Sequence, residues 1–275
     1  MKTNSLRFLI IVMVIIAIIS CRKGCMDELA VNYNEKAKKD DGSCKYQQDV
    51  TIKFTHNFNG ANLTVEDYDT LIYTNANGEL LSINKLQYLI SQLTFYKKDG
   101  TTEAFDNIIF IDLENSASLI RDIDRPLDPV EYTAVGFTFG LNGMDNISNA
   151  YSGLDALDWS WPDVIGGGYH QLKLEGKFVD SNGDITEYLY HNGSATKSQT
   201  GVFQPNFFNV KIPNSDFELT NTTVIEIQMD LAEWFKTPNK WDLNAMHNSL
   251  RSNHDAQVMM SENGGSVFSL GEIEQ

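Results

Sequence analysis

Residues 166–179, GGGYHQLKLEGKFV, carry the clearest structural pattern in the chain. From His170 onward apolar and polar side chains alternate, so that His170, Leu172 and Leu174 share one face while polar side chains occupy the other. A period of two is typical of a half-buried β-strand. The three glycines before it let another segment or a ligand approach the backbone closely. We therefore expect a β-rich protein in which a histidine stands in the apolar register at the start of a strand.

Other short segments with the same alternation follow along the chain, separated by the turn-forming dipeptides Asn-Gly and Asp-Gly. The further predicted strands are 50–58, 86–96, 108–113, 132–140, 185–191, 201–212 and 223–231. Two helices are expected at 231–235 and 241–250, separated by Pro238. The pattern predicts an all-β fold, an antiparallel β-sandwich with Greek-key-like connections and short capping helices near the C-terminus.

The N-terminus resembles a bacterial lipoprotein signal. Lys2 and Arg7 precede the apolar run 8–19, which is too short to span a bilayer, and the run ends in Ser20 and Cys21. We expect residues 1–20 to be a signal peptide and Cys21 to carry lipid, so that the protein is tethered to a membrane. An uncleaved anchor and an ordinary signal peptide without lipidation are the alternatives.

Residues 21–49 are expected to form a small tether module closed by a disulfide between Cys25 and Cys44, because an even pair of cysteines in an exported chain favours pairing. The string GCMDELAVNYN with DDGSC resembles a short repeat of surface and secreted proteins of Gram-negative bacteria. That resemblance implies a location in the cell envelope, with the outer membrane as the expected anchor site. Its residues Asp40, Asp41 and Ser43 suggest either a calcium site or an ordinary acidic turn.

Charge and motifs narrow the function. Removing residues 1–20 takes away two of 21 basic residues and none of 37 acidic ones, so the net charge changes from −16 to −18. Nucleic acid would repel such a chain, and so would an anionic lipid surface. The sequence contains no nucleophile elbow, zinc-protease helix or phosphate-binding loop. We expect one domain over residues 50–275, no nucleic-acid partner and no enzymatic activity.

Three histidines stand on separate predicted strands, His56, His170 and His191. Strand parity places all three toward the interior, where each could simply be a hydrogen-bonded core residue. Together they favour a metal site, because imidazole suits copper, zinc, iron and nickel. Asp180 to Asp184 carries oxygen ligands at alternate positions, but a hairpin turn explains it better than calcium does.

The chain from about residue 50 to 270 resembles the MbnP-like family of secreted or lipid-anchored β-proteins, some of which bind copper. The segments that carry the resemblance are HNFNG (56–60), YTNANGE (73–79), LQYLIS (86–91), ID (111–112), Tyr132 with FTFG (137–140), WSW (159–161), GYH (168–170) with LEG (174–176), and YHNG (190–193).

In characterised members of that family, copper is held by two histidines and by a kynurenine that a partner di-haem peroxidase makes from tryptophan. By position the resemblance implies His56 and His191 as ligands. His170 stands where many members have an apolar residue or lysine, so it is a third candidate that the resemblance does not supply. Trp159 and Trp161 match the family's W-x-W element, although Leu157-Asp158 replaces the Gly-Met that often precedes it. Aromatic core packing is the alternative for both tryptophans.

We therefore expect a lipid-anchored copper protein that scavenges or delivers the metal without turnover. The rival interpretation is a surface module that contacts glycan or protein through exposed aromatics such as Trp234 and Trp241. A third is a structural protein that uses calcium in its acidic turns.

Overall fold

The computed structural model describes residues 22–197, 200–212, 217–219 and 222–275. The predicted signal peptide and the lipidation of Cys21 lie outside these residues. Within them no helix is long and apolar enough to cross a membrane.

Most regular structure is β-strand, as the alternation predicts. The strands are β1 (Asp49–Phe58), β2 (Ala61–Asn62), β3 (Tyr73–Thr74), β4 (Leu80–Leu81), β5 (Lys85–Lys97), β6 (Thr102–Ala104), β7 (Ile108–Asp112), β8 (Ile120–Asp122), β9 (Glu131–Phe139), β10 (Leu172–Val179), β11 (Ile185–Asn192), β12 (Ala195–Lys197), β13 (Val202–Gln204), β14 (Phe208–Ile212), β15 (Phe217–Glu218), β16 (Thr222–Asp230) and β17 (Phe268–Glu274). The predicted strand 201–212 is two strands, β13 and β14, and β17 has no counterpart in the prediction.

Two sheets form the sandwich. The smaller has the order β17-β16-β1-β2 with β8 also on β1, and the larger has the order β14-β9-β5-β10-β4-β3 with β11 paired to β10. β6 and β7 pair with β5, β15 pairs with β9, and β12 and β13 form a separate hairpin. Each pairing between these described strands is antiparallel except β1 with β16, which is parallel. The all-β sandwich is confirmed, with one parallel pair that the sequence did not predict.

The main core lies between the two sheets and takes alternate side chains from each strand. Ile52 and Phe54 of β1 face Tyr88 and Leu174 of the larger sheet, and all four are buried. A second apolar cluster, with Leu89, Trp159 and Tyr169 among its members, covers the opposite face of the larger sheet. That outer face, beneath the segment 141–171, is where the candidate site lies.

The helices of the described residues are short. They are α1 (Ser152–Ala156), α2 (His254–Asn263) and single 3₁₀ turns, of which Leu231–Phe235 confirms one predicted helix. The prediction of a helix at 241–250 is wrong. The carboxylate of Glu79 accepts the backbone N–H groups of Leu243 and Asn244 and so holds this segment in a non-helical conformation. α2 begins instead at Asn253, whose side chain caps the N–H of Ala256.

Trp234 and Trp241 are fully buried. The rival interpretation, in which these two rings contact glycan or protein at the surface, is therefore wrong about the residues that would do so.

The N-terminal module contains the predicted disulfide between Cys25 and Cys44. Its acidic side chains stabilise their own turn, since Asp40 and Asp41 accept the N–H groups of Gly42 and Ser43. The segment from Asp180 to Asp184 is likewise the hairpin turn between β10 and β11. These contacts give the calcium expectation no support.

Candidate metal centre

The site is built on a short antiparallel ladder between residues 159–161 and 168–170, which precede β10. The N–H of Trp161 donates to the carbonyl of Gly168 at 2.8 Å, and the N–H of His170 donates to the carbonyl of Trp159 at 2.9 Å. The indole N–H of Trp159 in turn donates to the carbonyl of His170. These bonds fix both tryptophans and His170 in one rigid turn.

Two glycines make the turn possible. Gly168 has a φ of +81°, and a side chain there would overlap the Asn146 amide, which accepts the N–H of Tyr169. At Gly193, just after β11, a Cβ atom would lie 2.5 Å from the Trp161 ring. The glycine run therefore does admit another segment, as predicted, and Gly193 lets Trp161 lie directly on the strand backbone.

His170 is buried, and only one of its ring nitrogens is used. Nδ1 lies 3.0 Å from the carbonyl oxygen of Trp159, whereas Nε2 is buried without a partner among the described residues. Burial lowers the pKa of His170 to about 3, so the ring is neutral at ordinary pH. A buried polar atom is normally hydrogen-bonded, so the unpartnered nitrogen of His170 is unusual. In a neutral imidazole this nitrogen has a lone pair that can bind a metal ion.

His191 stands beside it at the end of β11. Its Nε2 lies 2.9 Å from Oε1 of Glu175 on β10, and Lys85 of β5 approaches the same carboxylate oxygen at 3.4 Å. Burial alone would raise the pKa of Glu175, but the hydrogen bond from His191 and the charge of Lys85 bring it below the ordinary value. Nδ1 of His191 makes no hydrogen bond to a described residue.

The two imidazole rings have centroids 5.4 Å apart and planes at 79°. The Trp161 ring lies 4.8 Å from His170, edge to face, and the Trp159 ring lies 5.5 Å from it. A bond from a metal to an imidazole nitrogen measures about 2.0 to 2.1 Å. Rings at this separation are therefore close enough to bind one ion between them, and both indoles beside His170 are buried.

The site lies on the outer face of the larger sheet, not in the main core. His191 pairs with Lys173, and Lys173 pairs with Gln87, so these three share the outer row of side chains. Parity groups His191 with Ile185 and Leu189 as expected, but both of those are exposed. The predicted interior position of His191 is therefore wrong. The side chain of His170 also lies on the outer face, and not on the core face that it would share with Leu172 by alternation. The reason is that His170 precedes the first residue of β10.

His56 does not join this pair. It is buried on β1, and its Nε2 lies 3.0 Å from the hydroxyl of Tyr88. Tyr88, Leu172 and Asn192 are paired in one row across three strands, and the side chains of this row face the main core. His191 belongs to the adjacent row, whose side chains are on the outer face. The larger sheet thus separates the two histidines, and the expectation that His56 and His191 share a pocket does not hold. Burial lowers the pKa of His56 to about 4.

Two residues that bond His191 were not predicted as residues of the site, Glu175 and Gln257. The Gln257 side chain, buried on α2, donates to the carbonyl of His191 at 2.7 Å and accepts the N–H of Gly193 at 2.9 Å. Glu175 could have been found from its place diagonal to His191 across two adjacent strands. Gln257 gave no signal, because α2 itself was not predicted.

Cations flank the site. Lys173 lies 4.8 Å above the Trp159 ring and donates to the carbonyl of Asp158 at 2.9 Å. Burial lowers the pKa of Lys173. Lys173 and Arg251 both disfavour a positive charge on His170. Over the described residues no three side chains of His, Cys, Asp or Glu are grouped as a multi-ligand metal site would require.

The sequence profile of the MbnP family matches residues 47–260, well over half of the chain. The chain belongs to the MbnP family. Its fold agrees with that of MbnP from Methylosinus trichosporium, at a TM-score of 0.53 and 12% sequence identity, covering 82% of this chain and 98% of that chain. No curated protein matches. In this member of the MbnP family, the W-x-W element and the YHNG segment meet at one place, where His170 and His191 are the histidines brought together.

Proposed function

We propose that this member of the MbnP family is a lipid-anchored, extracytoplasmic copper-binding protein that scavenges or delivers the metal, and that His170 and His191 are its ligands. The observation that carries the proposal is the buried Nε2 of His170, which has no partner among the described residues, in a ring whose centroid lies 5.4 Å from that of His191. His56, which the family resemblance implied, is replaced in this role by His170.

The residues present fit a copper ion of low coordination number. Two imidazoles supply the nitrogen ligands that copper accepts, and two buried indoles beside His170 limit access of water. Cys25 and Cys44 are joined to each other, so neither offers a competing thiolate. Copper held in this way would serve binding and transfer, and we assign no catalytic residue.

The location is proposed from the N-terminal sequence. Lipid on Cys21 would hold the protein at a membrane of the Gram-negative envelope, since stable anchoring takes more than one acyl chain and a lipoprotein cysteine can carry several. The net charge of −16 supports attachment through lipid rather than through an anionic surface.

A di-haem peroxidase that oxidises one of the tryptophans is the proposed protein partner. Trp161 suits this role better than Trp159, because its indole nitrogen is buried without a partner while that of Trp159 bonds the His170 carbonyl. Peptide mass analysis of protein from its native host decides whether either ring is modified.

Copper titration of the purified protein tests the central proposal. We expect one Cu(I) per chain by competition with a chromophoric chelator, and a loss of at least tenfold in affinity in His170→Ala and in His191→Ala. His247→Ala is the matched control, because the ring of this histidine lies against the Leu243 carbonyl and Phe178, away from His170 and His191. Equal copper binding by the wild type and by the double variant of residues 170 and 191 would refute the assignment.

A further inference from the structure

The hydrogen bonds around the two histidines determine which nitrogen of each ring carries hydrogen. A carbonyl oxygen only accepts, so Nδ1 of His170, 3.0 Å from the Trp159 carbonyl, must donate, and Nε2 holds the lone pair. An ionised carboxylate also only accepts. Nε2 of His191, 2.9 Å from Glu175, therefore donates to the carboxylate, and in the neutral form of this ring the lone pair is on Nδ1.

We propose that Glu175 is a positioning residue of the metal site: it holds His191 with hydrogen on Nε2 and so makes Nδ1 the atom that binds the metal. The inference rests on the proposed function in that it needs a metal at His170 and His191. The two ligands would then bind through different nitrogens, His170 through Nε2 and His191 through Nδ1.

The surroundings of Glu175 suit this role. Its carboxylate is half-buried on β10, one strand away from His191, and Lys85 at 3.4 Å favours its ionised form. Oε1 already receives both of these contacts, so Glu175 is engaged as an acceptor for His191 and Lys85. A carboxylate that accepts the second N–H of a ligating imidazole fixes the orientation of the ring and raises its basicity. Loss of such a partner commonly lowers metal affinity by about 10- to 100-fold.

The position of the hydrogen on His191 can be tested without any metal, by nitrogen-15 NMR of the histidine rings in the purified, metal-free protein at pH 8. We expect His191 to carry hydrogen on Nε2, and its Nε2–H signal to be protected from exchange with water. In Glu175→Leu this signal should be lost to exchange. Glu187→Leu, an exposed position on β11, is the matched control and should leave it unchanged. Hydrogen on Nδ1 of His191 in the wild type would overturn the proposal.

Addition of Cu(I), which is diamagnetic, tests whether Nδ1 of His191 is the atom that binds the metal. We expect the Nδ1 resonance of His191 to shift while its Nε2–H signal persists, and Glu175→Leu to bind Cu(I) about 10- to 100-fold more weakly than Glu187→Leu. Disappearance of the Nε2–H signal on addition of Cu(I), or unchanged affinity in Glu175→Leu, would overturn the role of Glu175. If the wild type binds no Cu(I), the proposed function fails, and the metal-free spectra still report the hydrogen bond separately. Should Glu175→Leu not fold, the two wild-type spectra decide the ligand atom.

Discussion

The imidazole rings of His170 and His191 lie 5.4 Å apart on the outer face of the larger sheet, at nearly a right angle to one another. One comes from the turn before β10 and the other from the end of β11, so the pair depends on the antiparallel pairing of these two strands. Each ring keeps one nitrogen free of hydrogen bonds to described residues, which is the arrangement that the copper proposal uses.

Tryptophan fluorescence should report copper binding. Because the rings of Trp161 and Trp159 lie 4.8 and 5.5 Å from His170, a bound copper ion should quench their emission. We expect Trp161→Phe to reduce the amplitude of quenching, whereas Trp241→Phe, in the main core, should leave it unchanged. Equal quenching in the two variants would place the metal elsewhere.

Protein stability should fall as the pH falls from about 6.5 to about 4 because of His56. Burial lowers the pKa of His56 to about 4, below the ordinary value of 6.5, so the unfolded chain takes up the proton first. The loss is about 1.4 kcal/mol per pH unit and at most about 3 kcal/mol from this residue. Well above pH 6.5 His56 is unprotonated in both the folded and the unfolded state, so its contribution to stability is fully present.

His56→Gln tests this dependence, because glutamine can still bond Tyr88 but does not titrate. Urea unfolding from pH 7.5 to pH 4.5 should give a shallower decline in the free energy of unfolding than in the wild type, with His170 and the carboxylates of lowered pKa, such as Glu79 and Asp128, contributing the remainder. Parallel declines in the two proteins would contradict the assignment to His56.

Gly193→Ala should destabilise the fold by about 1 to 3 kcal/mol, because the added methyl group would lie 2.5 Å from the Trp161 ring in a packed region. Chemical unfolding measures the change. Gly153→Ala is the control, since nothing lies near its Cβ position in α1, and it should be neutral or slightly stabilising. Equal stability of the two variants would mean that Trp161 has room to move.

Gln257→Leu should both destabilise the protein and weaken copper binding. It leaves the N–H of Gly193 and the carbonyl of His191 without their partner, at about 1 to 3 kcal/mol for each unsatisfied group. Ser261→Ala removes a single bond from the same helix, to the Asn206 carbonyl, and should affect stability less and copper affinity not at all. Urea unfolding and Cu(I) competition check the two effects.

Replacing Cys25 and Cys44 together by serine should loosen only the N-terminal module, by about 3 kcal/mol on the chain-entropy account of disulfides. Limited proteolysis should then cut within residues 22–46. The unfolding midpoint followed by tryptophan emission should not change, because all four tryptophans belong to the sandwich. A shift in that midpoint would show that the module supports the whole fold.

The strands could be predicted from the sequence because alternation is a local property, and β1, β5, β9, β10, β11 and β16 lie within a few residues of their expected bounds. The face of a strand is harder to predict. On β11 the fully buried side chains are Tyr188, Tyr190 and Asn192, whereas the aliphatic Ile185 and Leu189 are exposed. Parity therefore groups residues correctly without saying which group is inside.

The site was predicted only in part, because it also depends on contacts that no local pattern in the sequence encodes. His170, His191, Trp159 and Trp161 meet as named candidates, but they meet through a turn whose hydrogen bonds involve backbone atoms rather than a side-chain pattern. The exclusion of His56 depends on the register between β5 and β10, which join residues far apart in sequence. No local pattern encodes that register.

The parallel pairing of β1 with β16 has a consequence for biogenesis. β1 cannot acquire this neighbour until β16, which begins at Thr222, has been synthesised, so the first strand of the sandwich must wait through most of the synthesis of the chain. Contacts of such long sequence separation form slowly. Until then the edge of β1 that β16 later covers is unpaired, and an exposed strand edge of this kind favours aggregation.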